Sequence, residues 1–146
     1  EAAGIPLDEV VHFLYAEHGL DVYGNAVMAS PAWLEANADA VRGMMRALTR
    51  AWKETLEDPE SAIEAIARAD DLIDPEVELA RLELAIESNI LTPEVYEVGF
   101  GGVDPARLER SIAQVVEAFD LPRTPSVDEV FTDAYLPPLE ERLPPE

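Results

Sequence analysis

The sequence predicts a mainly α-helical fold with two short β-strands near its front. Three observations carry this reading. First, Ser30-Pro31, Asp58-Pro59, Asp74-Pro75 and Asp104-Pro105 each set a short polar acceptor before a proline. That pair opens helices, because the side-chain oxygen takes an orphan N–H and the proline ring fixes a helical φ. Second, apolar residues recur at helical spacing behind two of these starts: Val41, Met44, Met45, Leu48, Trp52 and Leu56, and later Leu108, Ile112, Val115, Val116 and Phe119. Third, Val10, Val11, His12, Phe13, Leu14 and Tyr15 form a short β-prone run between Gly4-Ile5-Pro6 and Gly19. Its length and composition predict a buried strand, and Asn25 to Ala29 is a second, weaker strand.

The elements follow in order. Glu17 to Asp21 reads as a loop between the strands. Ser30-Pro31 starts a helix with Trp33 and Leu34 on its apolar side, and Asn37 or Asp39 caps the next helix. The helix after Asp58-Pro59 has Ile63, Ile66 and Ala67 on its inner face. From Glu76 to Ser88 the apolar residues fall on two faces: Val77, Ala80 and Leu84 on one, Leu79, Leu82 and Ile86 on the other. A helix apolar on so broad a front is expected to be well buried. Thr92-Pro93 and Gly99-Phe100-Gly101-Gly102 bracket a loop, and the glycines mark a tight turn before the next helix. Leu121 to Pro125 is an extended connector, and Asp128 to Tyr135 makes one short helix or turn. Residues 137–146, with Pro137, Pro138, Pro144 and Pro145, form an extended Pro-rich tail. The capped starts are unevenly spaced and the helices between them differ, so they are not a solenoid. Two strands alone do not make a stable sheet, so they pair with strands outside this sequence or pack on the helices.

At 146 residues the chain fits one domain rather than two. With 48% hydrophobic residues it is not a disordered acidic tail. The balance of 31 Asp and Glu against 10 Lys and Arg gives a formal charge of −21, which would repel a phosphate backbone and excludes nucleic acid as a partner. No apolar run approaches the ~20 residues of a membrane-spanning helix, and no signal-peptide pattern is read at the front. Cysteine is absent, which removes disulfides, thiolate metal sites and thiol catalysis. Glu1-Ala2-Ala3-Gly4 resembles a helix end with its glycine cap, so the sequence is expected to be a partial domain, a piece of a longer protein. Lys53 is the single lysine beside nine arginines, a pattern that suits a halophile and a GC-rich genome equally.

No arrangement of residues points to catalysis. There is no Gly-x-Ser-x-Gly elbow, no phosphate-cradling loop ending in Lys-Ser/Thr and no His-Glu-x-x-His, so the chain is not read as an enzyme. His12 and His18 are the only imidazoles, and their spacing of six suits neither a helix face nor a tight metal site. No metal and no cofactor are expected. Glu54, Glu57, Glu60 and Glu64 read as a solvated helix face. Tyr15, Tyr23 and Asn25 flank the loop between the strands. They suit a polar small molecule, hydrogen-bonded by the amide and packed on the rings. They also suit ordinary strand-end tyrosines beside a turn Asn in Tyr23-Gly24-Asn25.

A longer pattern bears on that choice. Tyr23-Gly24-Asn25-Ala26, Ser30 and a helix, Asn37 to Ala47 with Val41-Arg42 and Arg46-Ala47, Trp52, and Asp58-Pro59-Glu60-Ser61-Ala62 occur in that order. Gly99-Phe100-Gly101 and Asp104-Pro105-Ala106-Arg107-Leu108 follow, then Phe131-Thr132-Asp133-Ala134-Tyr135-Leu136-Pro137. From about Val10 to Pro138 this resembles the C-terminal half of substrate-binding proteins of ABC importers, in the nitrate/sulfonate/taurine and thiamine-pyrimidine-precursor (NMT1-like) group. The resemblance implies the C-terminal part of an α/β, type II periplasmic-binding-protein-like fold that closes like a clamshell on a small organic molecule. It implies the importer's membrane subunits as partners and an extracytoplasmic location, in the periplasm or at the cell surface. By position it implies Tyr23, Gly24 and Asn25 as ligand contacts, with Tyr15 and His18 second. One branch of the group resembles a pyrimidine-forming enzyme with a Cys-rich motif, which has no counterpart here. The alternative is an acidic helical protein–protein interaction domain without a small-molecule ligand. A front strand left uncovered would also promote self-association.

The charge alone yields a prediction. Self-repulsion at −21 costs compactness and is screened by salt, so the melting temperature should rise with sodium chloride in a circular-dichroism melt. A melting temperature that stays flat or falls with salt removes the repulsion argument.

Overall fold

A computed structural model describes residues 9–11 and 13–145. It is mainly helical. A 3₁₀ turn at Tyr15–His18 precedes α1 (Pro31–Ala36), α2 (Ala38–Glu57), α3 (Pro59–Ala67) and α4 (Pro75–Ala85). A π-helical turn at Ile86–Ile90 continues α4, followed by α5 (Val95–Val98), α6 (Pro105–Ala118), α7 (Val127–Val130) and α8 (Leu139–Arg142). The chain divides into two compact units. The first is Glu1–Asn25 with Pro105–Val130, and the second is Ala26–Asp104 with Phe131–Glu146.

The capped starts lie where the sequence puts them. Ser30 Oγ accepts the Trp33 N–H at 3.3 Å, Asp58 Oδ1 accepts that of Ser61 at 3.0 Å, and Asp74 Oδ1 accepts those of Glu76 and Val77. Each oxygen satisfies donors that a helix leaves unpaired at its first turn. Helix α6 likewise begins at Pro105, one residue after Asp104. Asn37 does not cap α2 through its side chain; its amide donates back to the Trp33 carbonyl at 2.9 Å and closes α1 instead.

Among the described residues of the second unit, Val41, Ile63, Val95 and Phe100 are buried, with Pro137 and Pro144. Thr49 is buried beside them and donates to the Met45 carbonyl one turn back, at 2.9 Å. The largest polar commitment is Arg142, on α8. Its Nε donates to the Pro137 carbonyl at 2.9 Å, and its Nη1 donates to the carbonyls of Val98 at 2.6 Å and Phe100 at 3.0 Å. Phe100 returns a backbone N–H to the Arg142 carbonyl at 2.8 Å. Burial pushes the Arg142 guanidinium below the usual arginine value, and the negative charge of Asp133 opposes that shift. Glycine is required here: Gly99 has φ +72°, and a Cβ on it would lie 2.9 Å from Arg142 Cβ. Arg46 and Lys53 of α2 hold the same segment at Glu141, through an ion pair at 3.3 Å and a bond from Lys53 Nζ to the Glu141 carbonyl at 3.4 Å.

The first unit packs α6 and α7 with the front segment. Leu108 and Ile112 are its buried apolar residues. Ser126 precedes α7, and Glu129 reaches back to it: Oε2 accepts the Ser126 N–H at 2.8 Å while Oε1 takes Arg123 at 2.8 Å.

Three expectations are corrected. Among the described residues there is no β-strand. Val10, Val11, Phe13, Leu14 and Tyr15 are exposed, with Val11 at 78% and Phe13 at 71%, and His12 lies outside the described residues. Backbone bonding at its end is local, from Glu17 N–H to the Leu14 carbonyl and from Leu20 N–H to that of Tyr15, and the run leads into the 3₁₀ turn at Tyr15–His18. Asn25 to Ala29 is likewise neither paired nor buried. A β-prone run becomes a strand only beside another extended segment, and the described residues supply none. Helix α4 has no buried residue: Leu79, Leu82 and Ile86 are half-buried, and the Val77–Ala80–Leu84 face is exposed. Two apolar stripes need two neighbours, and its one extensive helix neighbour is α3. The Pro-rich tail is not extended throughout, because α8 interrupts it and Pro144 is buried.

Two predictions follow from these contacts. Arg142→Met leaves three carbonyls without their donor and should lower the unfolding free energy by about 2–4 kcal/mol in urea titrations. Arg50→Met, which removes only a surface pair with Glu54, should leave it nearly unchanged. The Glu129 carboxyl is held below the usual carboxylate range, first by the Ser126 N–H and then by Arg123. A carboxyl lowered on folding stabilises above its unfolded value of ~4.3 and loses that contribution as pH falls through its folded value. Carbon-13 titration of Glu129 should therefore give a midpoint below that of a free glutamate. The Ser126 amide should lose protection, measured against its intrinsic exchange rate, over the same acid range.

Candidate functional site

The candidate residues all belong to the first unit. Helix α6 positions them. Leu108 and Ile112 anchor it in the unit's core, and Arg107, Ser111 and Gln114 follow one another at i, i+4 and i+7 on one face. This polar face holds the segment from Gly19 to Tyr23. Gln114 Nε2 donates to the Gly19 carbonyl at 2.7 Å, and Ser111 Oγ shares its one proton between the Arg107 carbonyl a turn back at 2.9 Å and the Asp21 carbonyl at 3.2 Å. Arg107 Nη2 pairs with Asp21 Oδ1 at 2.7 Å, and its guanidinium lies 4.2 Å from the centroid of the Tyr23 ring. A cation at that distance is attracted to the ring's negative face. Gly19 makes the bend possible: its φ of +91° ends the 3₁₀ turn in a left-handed conformation.

Tyr23 is half-buried, with one ring face given to Arg107. Gly24 and Asn25 continue from it and are exposed, so a backbone and a side-chain amide are open beside a fixed aromatic ring. Tyr15 and His18 share the 3₁₀ turn and are exposed. The His18 ring lies 5.8 Å from the Phe13 ring, tilted by 51°. Among the described residues no group of three or more His, Cys, Asp or Glu is placed to hold a metal. The arrangement offers hydrogen bonds and an aromatic wall, the equipment of recognition.

The family model described as NMT1/THI5 like matches residues 3–62. This segment is NMT1/THI5-like. It contains Tyr15, His18, Tyr23, Gly24 and Asn25, and it runs through α1 and α2 to the start of α3. The Gly99–Leu108 and Phe131–Pro137 patterns lie outside the matched residues. No curated protein and no solved structure matches the chain. The NMT1/THI5-like family is a binding-protein family, generally non-enzymatic; its members bind small solutes, work with ABC transporters and are typically periplasmic. Among the described residues no helix is long and apolar enough to cross a membrane.

Sequence reasoning missed the supports of Tyr23. Arg107 enters it only as part of the Asp104–Leu108 pattern, and Asp21, Ser111 and Gln114 not as site residues. The signal was present as three polar residues at helical spacing beside the apolar stripe of α6. Their partner segment is about 90 residues away in sequence, as in Ser111 to Asp21, and no periodicity joins the two.

Arg107→Met should release the Gly19–Tyr23 segment. The expected result is faster hydrogen exchange from Leu20 to Tyr23 with little change at Ile63 of the second unit. Ser111→Ala should cost ~0.5–1.5 kcal/mol of stability, one ordinary hydrogen bond.

Proposed function

We propose that this chain serves solute capture for an ABC importer, by clamshell closure on a small organic molecule such as a pyrimidine thiamine precursor, a sulfonate or taurine. The observation that carries the reading is the NMT1/THI5-like match over residues 3–62, which contains the Tyr23-Gly24-Asn25 segment that α6 fixes in place. In this reading Tyr23 is the aromatic wall, Asn25 supplies amide donor and acceptor, and Gly24 lets a ligand approach the backbone. Tyr15 and His18, exposed on the neighbouring turn, are secondary contacts. The protein works outside the cytoplasm, in the periplasm or at the cell surface, and hands its ligand to the importer's membrane subunits. Hinge closure around placed polar groups is the general way such binding proteins trap a solute.

A second reading has one observation in its favour. The exposed apolar residues Val10 to Tyr15 are a surface that association would cover, which suits an acidic helical interaction domain or self-association of this chain. Light scattering at high concentration separates the two: a monomeric mass counts against association.

A thermal-shift screen in high salt tests the main reading, using a pyrimidine thiamine precursor, taurine, an alkanesulfonate and nitrate. A ligand at 100 times its dissociation constant should stabilise the protein by about 2.7 kcal/mol. Tyr23→Ala and Asn25→Ala should each abolish most of that shift. A folded protein that shifts with none of these compounds, or whose shift survives both substitutions, overturns the proposed site.

A further inference from the structure

The second unit carries a groove that the proposed function does not use. Its volume is about 560 Å³, within the range of small-molecule sites. Leu56 at the end of α2, Pro59 at the start of α3, Ile86 in the π-helical turn and Leu91 just beyond it form apolar walls. Glu83 and Glu87 stand on the same lining, four residues apart. Among the described residues no cation lines the groove. Among the described residues neither carboxylate has an ion-pair partner. On α2 to α4, Glu54, Glu64 and Glu78 are each taken by a neighbouring arginine, while Glu57, Glu60 and Glu76 have no ion pair among the described residues; Glu83 and Glu87 differ from these in lining the groove. The π turn closes the C-terminal end of α4 and sets Ile86 and Leu91 on the lining.

We propose that this groove binds a hydrophobic organic cation, an ammonium group on an apolar body. The walls remove the body from water, and each carboxylate offers a charge-assisted acceptor to the ammonium donors. An anion of the same shape meets two like charges, and a neutral isostere gains only the apolar contact. The groove is independent of Tyr23, whose residues belong to the other unit.

The test is a methyl-NMR titration of the full chain, observing Ile86 and Leu91, with three probes of matched body: 2-phenylethylammonium, 2-phenylethanol and 3-phenylpropanoate. Ethylammonium serves as the charge without the body. The expected result is a saturable shift with 2-phenylethylammonium, a weaker one with the alcohol, and none with the anion or ethylammonium. Glu83→Gln with Glu87→Gln should weaken 2-phenylethylammonium about fivefold, which corresponds to two partly exposed charge contacts. Glu109→Gln with Glu117→Gln, which removes the same net charge from the exposed side of α6, should leave its affinity unchanged. Tyr23→Ala should also leave it unchanged, so failure of the proposed solute site and failure of this groove are read separately. The proposal is overturned by no shift at the solubility limit of 2-phenylethylammonium. Equal binding of cation and alcohol overturns it, as does equal weakening by the two pairs of glutamine substitutions, which would assign the effect to the net charge.

Discussion

The Arg142 guanidinium donates to the carbonyls of Pro137, Val98 and Phe100, and the second unit's loops converge on those bonds. The fixed residues come from segments some 40 positions apart, as with Arg142 and Val98. The apolar core of this unit is thin, because many of its apolar residues are only half-buried. A buried charge in such a place is costly unless its donors are satisfied, and here the backbone satisfies them. The same packing explains Gly99, where a Cβ would collide with Arg142, while at Gly102 it would collide with the Val98 backbone of the turn itself. The Pro-rich tail thereby becomes part of the fold, with α8 as its docking turn.

The first unit uses the same principle with a different arginine. Arg107 holds Asp21 by charge and Tyr23 by its ring face, while Ser111 and Gln114 fix the intervening backbone. Polar bonds of this kind set position more than they add stability, since each is worth only ~0.5–1.5 kcal/mol net. Position is what a recognition site requires. In the proposed site, a ring held on one face by Arg107 loses less entropy when a ligand arrives than a ring free to rotate.

Charge and exposed apolar surface pull in opposite directions on this protein. The net charge of −21 keeps copies apart, while Val11, Phe13, Tyr15 and Met28 present apolar area to solvent. The balance depends on salt, because screening weakens the repulsion and leaves apolar attraction intact. The acidic surface also gives meaning to where cations are missing. Most arginines are spent on local pairs such as Arg81 with Glu78 and Arg123 with Glu129, which leaves the groove at Glu83 and Glu87 with uncompensated charge.

The sequence by itself determined where helices begin. Ser30, Asp58 and Asp74 cap the helices that follow them because a cap involves residues two or three positions apart, and local chemistry decides it. It also carried the periodic faces of α2 and α6 and the positive φ of Gly99 and Gly101. Tertiary structure decided what no local rule contains. The β-prone residues Val10, Val11, Phe13 and Leu14 stayed irregular and lead into the 3₁₀ turn at Tyr15–His18, because strand formation depends on a partner, and β-propensity describes fitness for a pleated neighbour rather than a backbone preference. The broad apolar front of α4 remained half open because burial depends on how many elements pack against it. The Tyr23 site shows both limits together. Tyr23, Gly24 and Asn25 were legible as a short motif, while Arg107, Ser111 and Gln114 came to their segment only through folding, since contacts across some 90 residues are set by packing and leave no period in the sequence.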